Sequence, residues 1–116
     1  MYIQFKTVKL AKRCNNQKER IKAWGERRSA IIGRRLDDLR AADTLEDIRR
    51  LPGDCHEYRH GKDVHVFTVD LDGGWRFFFK PINDPIPLLA DGASVDWSQV
   101  TAIQITDIKD PHGKNR

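Results

Sequence analysis

Val64-His65-Val66-Phe67-Thr68-Val69-Asp70-Leu71, then Asp72-Gly73-Gly74, then Trp75-Arg76-Phe77-Phe78-Phe79-Lys80, is the stretch on which the fold turns. A period of two puts Val64, Val66, Thr68 and Asp70 on one face of a strand and His65, Phe67, Val69 and Leu71 on the other. Asp-Gly-Gly is a tight-turn signal, because glycine accepts the positive φ angles of a short hairpin loop. An antiparallel hairpin over residues 64–71 and 75–80 is therefore expected.

Working outward, residues 100–108 alternate Ala102, Gln104 and Thr106 with Ile103 and Ile105, which predicts a final strand. Residues 81–98, with Pro81, Pro85, Pro87, Gly92 and an isolated Trp97, read as a long loop. On the other side, residues 56–59 make a short strand, and before Gly53 the period changes from 2 to 3.6. Residues 8–24 place Val8, Leu10, Ala11, Cys14, Ile21 and Trp24 at helical spacing, with a weak middle at Asn15-Asn16 and a stop at Gly25. Residues 26–42 repeat the pattern with Ala30, Ile32, Leu36 and Leu39. Thr44 and Asp47 have capping-box spacing ahead of Leu45, Ile48 and Leu51, and Pro52-Gly53 ends that turn. Tyr2-Ile3-Gln4-Phe5 reads as an opening strand. The expected fold class is α+β: an N-terminal strand, a two-helix hairpin, then a mainly antiparallel sheet of three or four further strands, with helices on one face.

The chain has 116 residues, 39% of them hydrophobic, which suits one domain over residues 1–116 with a single core. No apolar run approaches the roughly 18 to 20 residues that cross a bilayer, and residues 1–12 alternate apolar with charged, unlike a signal peptide. A cytoplasmic protein without a membrane partner is expected. Cys14 and Cys55 lack a CxxC partner and are expected to be reduced thiols. The net charge of +4 is unevenly spread. The first fifty residues hold 14 Lys and Arg against 7 Asp and Glu, the remainder 7 against 10. That asymmetry suits contact with a polyanion, and equally the solvated faces of amphipathic helices.

His56-Glu57-Tyr58-Arg59-His60 spells HExxH, but residues 56–59 read as a strand and not as the helix on which that motif sets both histidines to one metal, and phosphate-binding GxxxxGK[ST], dinucleotide-binding GxGxxG and the GxSxG nucleophile elbow are absent. What remains is imidazole and cationic chemistry: His56, Arg59, His60, Lys62, Arg76 and His112 converge if the strands lie side by side and the C-terminal segment returns to them. Such a group suits RNA cleavage, in which a ribose 2′-hydroxyl attacks the adjacent phosphate with help from a base, an acid and cationic donors. Arg76 also reads as a strand arginine paired with Asp70 or stacked on a ring, and His56 as a half-buried strand histidine.

Leu51-Pro52-Gly53-Asp54-Cys55-His56-Glu57-Tyr58 resembles the LPG…HxL segment of HigB-type toxins in the RelE/ParE superfamily. Trp75-Arg76-Phe77-Phe78-Phe79 resembles that family's aromatic-Arg-x-x-Phe strand. Asp84-Pro85-Ile86-Pro87-Leu88, Asp96-Trp97, Val100-Thr101-Ala102-Ile103 and Asp110-Pro111-His112-Gly113-Lys114 resemble its longer-tailed plasmid-maintenance killer branch. The resemblance spans nearly the whole chain. It implies a RelE-like fold, a toxin–antitoxin system with a HigA-type antitoxin, translation inhibition by an mRNA interferase acting at the ribosome, and no cofactor or metal. It also implies catalytic roles for His56, Arg76, Asp110 and His112. Arg59, His60 and Lys62 compete for the role of the family lysine, and Arg27, Arg28, Arg34 and Arg35 are expected to bind ribosomal RNA or an acidic antitoxin surface. The family has tyrosine where this chain has Pro111, and proline offers neither a hydroxyl nor a ring, while Tyr58 is a candidate source of the missing ring. An attenuated antitoxin-binding protein and a ParE-like DNA gyrase inhibitor are the alternative expectations.

Overall fold

The hairpin expected around Gly73-Gly74 lies inside the sheet of the computed structural model, which describes residues 1–59, 61–62 and 64–112. Among the described residues the order is β1 (Tyr2–Phe5), α1 (Val8–Asn15), α2 (Gln17–Trp24), α3 (Glu26–Ala41), α4 (Leu45–Ile48), β2 (Cys55–Tyr58), β3 (Val66–Asp70), β4 (Arg76–Pro81) and β5 (Ala102–Lys109). The strands form one sheet in the order β1-β5-β4-β3-β2. The β2–β3, β3–β4 and β4–β5 pairs are antiparallel, and β1 lies parallel to β5. The fold is α+β with a mixed sheet.

Local chemistry explains each departure from the expected elements. The helix expected over residues 8–24 is two helices, so the helical half is not a two-helix hairpin. Asn16 is extended at φ −121° and its side chain accepts the Glu19 N–H, which starts α2 afresh. Arg20 holds the corner, donating to the carbonyls of Cys14 (2.7 Å) and Ser29 (3.0 Å) and to the Ser29 hydroxyl. A single residue, Gly25, with φ 84° and ψ 166°, joins α2 to α3. Thr44 and Asp47 form the expected capping box at α4. β3 starts at Val66 and not at residue 64, because His65 has φ 57°, which takes the chain out of the pleat. In the long loop, Leu88 bridges to Val95 and Trp97–Gln99 makes a 3₁₀ turn. Asp91 caps the loop tip; the Ser94 hydroxyl and the N–H groups of Ala93 and Ser94 hold its carboxyl down at about 2.

Ile32, Leu36 and Leu39 of α3 and Leu45 and Ile48 of α4 share one core with Phe67, Val69, Phe77, Phe79, Ile103 and Ile105 of the sheet. Leu45 N–H donates to the Val100 carbonyl, and Trp97 meets Phe67 edge-on at 5.0 Å, tying α4 to the loop before β5. Because sheet side chains alternate, this leaves His56, Thr68, Arg76, Phe78 and Lys80 on the face that does not meet the helices.

Candidate active site

Cross-strand register arranges that second face in rows. His56 on β2 pairs with Thr68 on β3, Thr68 with Phe78 on β4, and Phe78 with Asp107 on β5. One row along, Asp70 pairs with Arg76 and Arg76 with Lys109. On the other side, Lys80 pairs with Gln104 and Gln104 with Gln4. A β-bulge in the β4–β5 pairing between Phe78 and Phe79 brings Thr106, whose hydroxyl donates to the Phe78 carbonyl, onto this face beside Asp107.

His56 is half-exposed: Nδ1 is 3.8 Å from the Asp54 carboxylate and Nε2 is 3.4 Å from the buried Thr68 hydroxyl. Arg76 Nε is 3.5 Å from Asp70 Oδ1, and that oxygen has no hydrogen-bond partner. The contact is therefore electrostatic and leaves donors of the guanidinium fork for another oxyanion. Thus Arg76 is at once the ion-paired strand arginine and a side chain on the face that carries His56.

The C-terminal segment does return to the hairpin. A Cβ built on Gly74 comes within 3.2 Å of Asp110 Oδ2, so the carboxylate lies against the β3–β4 turn and glycine is needed there for space as well as for its φ of 86°. Asp110 Oδ1 accepts the His112 N–H at 3.0 Å. Asp110 and Pro111 also line a groove of roughly 580 Å³ with Tyr58, Phe78, Lys80 and Lys109. His56, Arg76 and Asp110 therefore share one face, but of the four expected catalytic residues Asp110 alone lines the groove, and His56, Arg76 and exposed His112 do not.

The expected RNA-binding residues are divided. Arg59 pairs with Glu57 at 3.3 Å and lines a separate hollow with Val64, His65 and Ala93. Lys62 is exposed in the adjoining turn, and His60, Gly113 and Lys114 lie outside the described residues. On α3, Arg28 is used inside the fold, 2.9 Å from Asp72 and 4.3 Å above the Trp75 ring. Arg35 donates to the Asp70 carbonyl at 3.3 Å and sits 3.8 Å from Asp38. Arg27 and Arg34 remain exposed, in the helical layer.

Sequence reasoning missed Lys6, Lys80 and Lys109. Lys80 was within reach, since alternation from Arg76 puts positions 78 and 80 on its face. Lys6 was not, because it depends on a parallel β1–β5 pairing between the two ends of the chain. Among the described residues no helix is long and apolar enough to cross a membrane, and no three His, Cys, Asp or Glu side chains form a group suited to a metal ion. Compared with protein-family models, with curated proteins and with solved structures, the chain gives no significant match to any.

Proposed function

We propose that this chain is a HigB-type toxin with a RelE-like fold, a ribosome-dependent endoribonuclease that cuts messenger RNA by attack of a ribose 2′-hydroxyl on the adjacent phosphate. The observation that carries the reading is the assembly of His56, Arg76 and Asp110, distant in the chain, on the sheet face away from the helices. In this mechanism the free donors of Arg76 meet the phosphate oxygens as charge develops on them. The O2′–P bond forms and the P–O5′ bond breaks, with one imidazole taking the 2′ proton and a second delivering a proton to the leaving oxygen. His56 and His112 share these roles, and Asp110 positions the segment that carries His112. A HigA-type antitoxin neutralises the protein, and of the four arginines expected to bind on α3, Arg27 and Arg34 are the exposed ones, open to its acidic surface or to ribosomal RNA.

The test is controlled expression in bacteria with and without the neighbouring antitoxin gene, with growth recorded and messenger RNA 5′ ends mapped on ribosomes. Growth arrest with new in-frame ends, absent in Arg76→Ala, is the expected result. Pro111 in the groove favours a second reading, an attenuated protein that keeps antitoxin binding. Soluble, folded protein that causes no arrest and no new ends would select it, and Pro111→Tyr should then raise cleavage.

A further inference from the structure

The groove that holds Pro111 carries its own ring and its own cations. Phe78 is only 4% exposed although it points away from the helices, because Tyr58 meets it edge-on at 5.1 Å and the Lys109 ammonium stands 4.8 Å from its ring centre. Lys6 and Lys80 line the same groove from either side of β5 and are exposed. The carboxylates there lie on the β5 side: Asp107 is 3.5 Å from Lys109, and Asp110 lies against the turn. Among the described residues neither Lys6 nor Lys80 is paired with a carboxylate, so these are the charges left for an anion.

An aromatic ring flanked by unpaired lysines across adjacent strands is the arrangement that holds single-stranded nucleic acid, the ring taking a base and the cations its phosphates. A groove of roughly 580 Å³ is within the size range of nucleotide-sized ligand sites. We propose that Tyr58 is the base-stacking residue of this protein, seating an unstacked RNA base beside Phe78 while Lys6 and Lys80 hold the neighbouring phosphate. Tyr58 thereby supplies from β2 the ring that Pro111 cannot. The choice of RNA rests on the ribonuclease reading; the stacking site rests on the groove.

Fluorescence anisotropy with a short labelled single-stranded RNA at low salt, using the full chain, tests the two apart. Tyr58→Leu should weaken binding about tenfold or more, and Tyr58→Phe, which keeps the ring, should restore it. Joint Lys6→Gln and Lys80→Gln should flatten the slope of log affinity against log salt by about 1.4. Both lysines are exposed, so this variant keeps the test sound if Tyr58→Leu disturbs folding. Wild-type affinity in Tyr58→Leu, an unchanged salt slope in the lysine variant, or no binding by the wild type would each overturn the proposal. If Tyr58→Leu still produces the wild-type pattern of messenger RNA ends, the groove assignment fails and the ribonuclease reading stands. If Tyr58 governs RNA binding but expression produces no new ends, the groove stands and the nuclease reading fails.

Discussion

Arg76 is held by a carboxylate that does not hydrogen-bond to it, a geometry that orients the guanidinium without using up its donors. Removing the side chain deletes the charge proposed to meet the phosphate and leaves the buried oxygen of Asp70 unopposed. Arg76→Ala should therefore lower RNA cleavage at least about a hundredfold while costing only about 1 to 2 kcal/mol of stability, as read from cleavage kinetics and a urea midpoint. The two cysteines respond to pH instead. Burial pushes the Cys14 and Cys55 thiols up to about 12, against the pull of Arg20 and Arg40 on the first and of Arg49 on the second. With the folded pKa raised above the ordinary value of 9.0, the contribution is fully present below about pH 9 and declines from there toward pH 12. Each thiol keeps its proton in the fold while the unfolded chain loses it, so each removes about 1.4 kcal/mol of stability per pH unit in that window. Urea midpoints at pH 8 and pH 10 should fall more steeply for the wild type than for a Cys14→Ala, Cys55→Ala double variant; parallel slopes would refute the assignment.

At the scale of the elements, Gly25 is the whole connection between α2 and α3, and its φ 84°, ψ 166° conformation is one that side-chain-bearing residues rarely adopt. A Cβ there meets nothing within 4 Å, so backbone strain is the only penalty. Gly25→Ala should cost about 1 to 3 kcal/mol in a urea melt, with native circular dichroism retained below the transition. Such junctions also mark the limit of what the sequence discloses. The hairpin, the capping box at Thr44, the extent of α3 and the opening strand are legible, because local periodicity and turn chemistry alone determine them. The break at Asn16 is legible only as weakness; Arg20 bonding across three helices, a tertiary event, makes it a corner. The same limit applies to the site. Position 56 and position 76 announce themselves by strand alternation, whereas their sharing of a face depends on the order of β2, β3 and β4. The lysine at position 6 joins them through long-range pairing that no window of sequence contains.

Over the whole molecule, the charge asymmetry between the first fifty residues and the rest is not a single basic patch. Arg20, Arg28, Arg35 and Arg49 are used within the fold: on backbone carbonyls, on Asp72, on Asp70 and Asp38, and above the Trp97 ring. Of the rest, Arg27 and Arg34 on α3 and Lys9, Lys12, Arg13, Lys18 and Lys22 on α1 and α2 are exposed in the helical layer, while Lys6 joins Lys80 on the sheet face away from the helices. A short RNA seated against Tyr58 and Phe78 reaches the second set and not the first. A ribosome or an acidic antitoxin is large enough to engage α3 from outside. The two layers should therefore separate by experiment. Reversing charge with Arg27→Glu and Arg34→Glu should leave the affinity for a short RNA within about twofold, because screening over about 10 Å at 0.1 M salt isolates one face from the other. The same variant should weaken association with ribosomes or with the antitoxin, measured by co-sedimentation and by titration. A large loss of short-RNA binding in that variant would mean that the nucleic acid crosses the helical layer, and the face that carries His56 and Arg76 would then lose its claim to the substrate.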